Sequence, residues 1–147
     1  MENIIYGVTS AINAYFKNVN IYDDTIKQGF SKPCFVVLPE KSHIRQMSIG
    51  GFLKTLTVKI IYHPEDASRQ DEAEKTAFKL CAAVKSMKWK GETYLGRGMR
   101  WEEKEGKLIF NVDFDMPLSW DPNYDPDGED PYEEGVYMMN LGFNEIE

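Results

Sequence analysis

The chain has 147 residues, 42% of them hydrophobic and 13% aromatic, which is one domain's length and enough to bury a core without staples. All 17 lysines and arginines precede residue 108, so residues 1–120 set 17 cations against 15 acids, a net +2, and residues 121–147 hold nine acids and no cation. That acidic end excludes nucleic acid as its own partner, and neither an apolar run of membrane-spanning length nor a basic leader occurs, so the expectation is a soluble protein of a reducing cytoplasm.

Residues 3–17 read as an amphipathic helix, with Ile5, Val8, Ile12 and Tyr15 or Phe16 at three- and four-residue steps and Asn3 as its N-cap. Residues 18–30 form a connector with a short extended piece, Val19 to Tyr22, and a turn at Asp23-Asp24. Pro33 to Pro39 is a strand apolar on both faces, placed toward the middle of a sheet. A polar edge strand follows over about Ser42 to Ser48, a turn at Gly50-Gly51, and an alternating strand from Phe52 to Tyr62. Residues 67–88 read as a second helix, opened by Ser68 and Asp71 as a capping box, with Ala73, Ala77, Leu80, Cys81, Val84 and Met87 on one stripe. That stripe is core rather than a cofactor box. Cys34 and Cys81 both lie in apolar runs and read as buried free thiols.

Residues 95–103 form a further strand, and Lys104-Glu105-Gly106 turns it into Lys107 to Trp120. In this last strand Leu108, Phe110, Val112, Phe114, Met116 and Leu118 take every second position, with Asn111, Asp113 and Asp115 between them. A strand sends successive side chains to opposite faces, so the pattern makes one oily face and one wet face. Pro117 has no N–H to give a ladder, so regular pairing ends there or the strand runs along an edge. The segment 121–135 holds three prolines, two glycines and seven acids, and reads as an extended solvated arm. Val136 to Phe143 turns apolar again, suited to docking on this domain or a neighbour. The expected fold is α+β: a mostly antiparallel β-sheet with two α-helices packed on one face, over residues 1–120, plus an acidic extended C-terminal arm, 121–147.

A reaction is hard to find in these residues. His43 and His63 are the only histidines, no zinc spacing or phosphate loop occurs, and Gly96-Arg97-Gly98 is too short to cradle phosphate. Asn123, Asp125, Asp127, Gly128 and Glu134 fall at calcium-loop positions, but Asn leads, the apolar anchor is missing and prolines break the flanks. Lys88-Trp89-Lys90 is explained as a helix end with its cations rather than as a nucleic-acid contact. The expectation is no catalytic residue, no cofactor, no metal and no enzyme.

Ile21-Tyr22, Ile26-Lys27-Gln28-Gly29-Phe30 and Pro33-Cys34-Phe35-Val36-Val37 form a run that resembles tail terminator (tail completion) proteins of Gram-positive phages, prophages and phage-tail-like particles. Tyr62-His63-Pro64 ahead of an acid-rich helix start, and Asp115-Met116-Pro117 closing the last core strand, are similar to that family too. The resemblance covers about residues 1–120 and is not extended to the acidic arm. It implies a structural protein of the virion or particle, assembled in the bacterial host cytoplasm, that caps the tail tube as a homo-oligomeric ring, usually a hexamer. Its partners would be further copies of itself and the tail tube protein, with sheath and neck or connector proteins beyond, and neither membrane nor nucleic acid. Exposure and composition nominate Lys27, Gln28, Gly29, Phe30, Arg45, Met47, Tyr137, Met138, Leu141 and Phe143 as interface residues. The alternatives are another neck or tail-completion adaptor, or a cytoplasmic module binding a small ligand in a cavity lined by Tyr62, Trp89 and Trp101.

Overall fold

The computed structural model describes residues 4–22, 31–65, 70–120 and 138–139. In chain order these form α1 (Ile5–Tyr15), β1 (Asn20–Tyr22), β2 (Cys34–Gln46), β3 (Gly51–His63), α2 (Gln70–Ala83), β4 (Ser86–Trp89), β5 (Glu92–Lys104), β6 (Lys107–Trp120) and β7 (Met138–Met139). The strands make one curled, mixed sheet in the order β1-β2-β3-β6-β5-β4, with β7 beside β6. Only β1 runs parallel to its neighbour; every other pairing is antiparallel.

Strand β6 occupies the span expected of it, and its alternation builds the core. Leu108, Phe110, Val112, Phe114 and Met116 are buried on one face. Register sets Tyr62, Ile60, Val58 and Leu56 of β3 directly beside the first four of them. Phe35 and Val37 of β2 continue the same rows. Ile5, Val8 and Ile12 of α1 and Ala77, Leu80 and Ala83 of α2 join this face in one cluster of buried side chains. Each buried Phe or Leu there contributes about 2 kcal/mol of transfer free energy. A hydrogen bond from the Tyr62 hydroxyl to Glu72 Oε1, 2.9 Å, ties α2 to β3. Gly7 lets α1 approach β4 closely: a Cβ there would stand 2.7 Å from the Lys88 carbonyl oxygen and 2.8 Å from Met87 Sδ.

Several expectations need correction. The two strands expected on either side of Pro39 are one 13-residue strand, β2. A register shift between Pro39 and Lys41 absorbs the proline as a bulge. Pro39 is tolerated because β1 pairs only with Cys34 to Val36, which leaves β2 without an outer neighbour there among the described residues. The second helix ends at Ala83 rather than Met87 or Lys88. Residues 86–89 instead pair with residues 92–95 across a two-residue turn, Lys90-Gly91, in which both φ angles are positive. Lys88 and Trp89 therefore lie on a strand, not on a helix end. At the start of α1 the N-cap position is Ile4, with no side-chain cap, and Asn3, like Ser68, lies outside the described residues.

Pro117 sits where β6 has β3 on one side and no strand on the other among the described residues, since β5 stops pairing at Phe114 and β7 begins at Ser119. Of the acidic C-terminal stretch only Met138–Met139 is described, paired with Ser119–Trp120 of this same chain.

Candidate interaction surface

The hairpin of β2 and β3 is the most exposed element of the described protein. Residues 39–50 are all exposed. The turn is closed by hydrogen bonds from the amides of Met47 and Ser48 to the Gly51 carbonyl, 2.8 and 3.2 Å. Ile49 at the tip is 97% exposed, Ile44 52% and Met47 48%. Isolated exposed apolar side chains are ordinary, but three on one edge hairpin make a surface that costs free energy until something covers it. Arg45 and Met47, two of the nominated interface residues, belong to this surface. Met138 falls on β7, whose neighbour Ser119 pairs with Gly51, the residue that closes the hairpin's turn. Lys27, Gln28, Gly29, Phe30, Tyr137, Leu141 and Phe143 lie outside the described residues.

A second surface was missed by sequence reasoning. On the sheet face away from the core, Thr55 and Thr57 are only 4% and 3% exposed. Their hydroxyls donate to Asp115 Oδ1 and Asp113 Oδ1, each at 2.6 Å. Arg97 donates through Nε and Nη2 to the Asp115 carboxylate, the second contact at 2.8 Å. Arg100 reaches Asp113 Oδ2 at 3.4 Å and the Gly98 carbonyl at 2.6 Å. Residues three apart on a regular strand face opposite ways. Here a bulge between Arg97 and Arg100, with Gly98 at φ 62°, turns both arginines to the same two aspartates. The legible signal was the Gly-Arg-Gly run itself, since a glycine inside a strand marks a bulge. The hydrogen bonds from Arg97, then that from Thr55, hold the Asp115 carboxyl below its usual range, and the same pairing raises Arg97.

Register makes Cys34 and His63 neighbours across β2 and β3. Burial pushes the Cys34 thiol up and the His63 imidazole down, so the proton stays on sulfur and the pair is not an activated nucleophile. Both cysteines are free, Cys34 buried and Cys81 half-buried. The aromatic residues of the small-ligand alternative separate. Tyr62 packs on Phe35 with centroids 5.0 Å apart, Trp101 stacks on Phe110 at 6.0 Å, and Trp89 is on β4. Two concavities, of about 410 and 450 Å³, flank α1 and are lined by other residues. Among the described residues no His, Cys, Asp and Glu group could hold a metal ion, and the calcium-like spacing from Asn123 to Glu134 lies outside them. No helix among the described residues is long and apolar enough to cross a membrane.

A family described as phage tail terminator protein matches the chain over residues 3–126. No curated protein sequence matches it.

Proposed function

Since the chain belongs to the phage tail terminator family, we propose that it is a ring-forming subunit that caps the tail tube, ends its growth and joins the tail to the neck or head. A structural tail family points away from catalysis and toward contacts with other tail proteins. The observation that carries the finer reading is the exposed β2–β3 hairpin with Ile44, Met47 and Ile49 uncovered. Such an element suits a head-to-tail contact between copies, and a head-to-tail contact that closes gives a ring. The hexamer, the tube protein as axial partner, sheath and neck or connector proteins beyond it, and assembly in the host cytoplasm are parts of this proposal.

Size-exclusion chromatography with light scattering, followed by negative-stain imaging, tests it in the presence and absence of the tube subunit. Six copies of a 17.0 kDa chain give about 102 kDa and a ring. Replacing Ile49 by Asp should weaken the ring at least tenfold in dissociation constant and leave the melting temperature of the isolated subunit unchanged, because the side chain touches no core. A monomer in both conditions, or rings that ignore Ile49→Asp, would count against the hairpin as the contact.

A further inference from the structure

The outer sheet face is laid out in rows by strand register. Arg45 stands beside Leu53 and Pro117, and His43 beside Thr55 and Asp115. Lys41 stands beside Thr57, Asp113 and Arg97, and Lys59 beside Asn111 and Arg100. Five cations thus share a patch with three acids: Asp113 and Asp115, which the arginines engage, and Glu40, 3.6 Å from Lys59. From Leu53 to Lys59 the patch is about 20 Å long at the usual rise per strand residue. Its arginine side chains stay about half exposed even while paired, at 53% for Arg97 and 47% for Arg100. An Arg guanidinium has five N–H donors, so each keeps donors to offer.

The chain carries a segment of the opposite charge. Between Trp120 at the end of β6 and Met138 of β7 lie 17 residues with seven acids and no cation. Both ends of that segment are tied to one end of the sheet. At roughly 3.4 Å per residue, a stretch tethered at both ends reaches up to about 28 Å from its anchor. Resting on the ring reading above, we propose that the basic sheet face of one copy seats the acidic segment 121–134 of the adjacent copy. Every subunit then offers one acidic segment and one basic face, and a closed ring satisfies all of them. Charge pairing of this kind fixes which neighbour fits and in what orientation, and it weakens as salt rises.

Carbodiimide cross-linking tests this on the full chain, because it joins a lysine amine to a carboxylate. An equal mixture of ¹⁴N- and ¹⁵N-labelled protein, cross-linked at low salt, should link Lys41 or Lys59 to acids within 121–134. Mixed-isotope pairs should be as common as single-isotope pairs, and the links should disappear in about 0.5 M salt. The double variant Lys41→Glu, Arg45→Glu should lose the Lys59 links at low salt as well; both side chains are exposed, and a cooperative melting transition checks that the variant is folded. Links confined to single-isotope pairs, links of equal yield in the double variant, or no links would overturn the proposal. Light scattering of the same sample separates the two failures: an oligomer without these links removes this contact and leaves the ring reading standing.

Discussion

Asp115 accepts hydrogen bonds from Thr55 and Arg97 on the wet face of β6, where the sequence showed only an acid between apolar neighbours. Its carboxyl is held low in the folded chain, so it binds a proton less readily there than when unfolded, and the charged form stabilises the fold. That contribution is fully present above the unfolded carboxyl value of about 3.9 and is lost as pH falls through the lower folded value. Because Arg97 is half exposed, solvent screens the pair and the effect is small, on the order of 1 kcal/mol. Asp115→Asn should therefore lower the denaturant midpoint at pH 7, and the gap to the parent should close on acidification toward about pH 2. A gap of constant size across that range would show that Asp115 acts through its shape alone. The alternation from Leu108 to Met116 was legible because a period of two is a property of the strand itself. The convergence of Arg97 and Arg100 on Asp113 and Asp115 was not, since their spacing puts them on one face only after a bulge that register reveals.

Elements were legible where local pattern and long-range pairing agree. β3 and β6 lie within a residue or so of their expected spans because their alternation meets turn residues at each end. β2 was divided at Pro39 because proline disfavours a ladder, yet the bulge and the missing outer neighbour let the strand run on. The end of α2 was overextended because Val84 and Met87 fit a helical stripe; both are buried, but from a turn and from β4. Two predictions belong to this scale. Glu105 occupies φ 52° in the Glu105-Gly106 turn, a conformation that strains a residue with a long side chain. Glu105→Asn should stabilise the β5–β6 hairpin by about 0.5–1 kcal/mol, read as a rise in Tm, and no rise would mean the turn relaxes at no cost. Gly7→Val should push α1 off β4, costing about 1–3 kcal/mol and loosening hydrogen-exchange protection along both elements. An unchanged melting curve would show that the helix slides freely over Met87 and Lys88.

At the scale of the whole molecule, the β-rich fold with two helices followed from the order of patterned segments, and the run around Ile21 to Val37 pointed to the family that the match over residues 3–126 establishes. Arg45 and Met47 were legible as surface candidates because a polar strand ending in two glycines is an exposed edge hairpin. The polar network and the unevenly charged sheet face were not, because they exist only once four strands are in register. What the protein does depends on surfaces meeting other surfaces, and a single sequence encodes those as exposure and charge rather than as motifs. The most direct test is to polymerise the tail tube subunit of the same particle with and without this chain and measure tube lengths by negative-stain imaging. The account predicts tubes that stop growing, each bearing a ring at one end, once the chain is added. Tubes of the same unbounded length, with no extra density at either end, would contradict it.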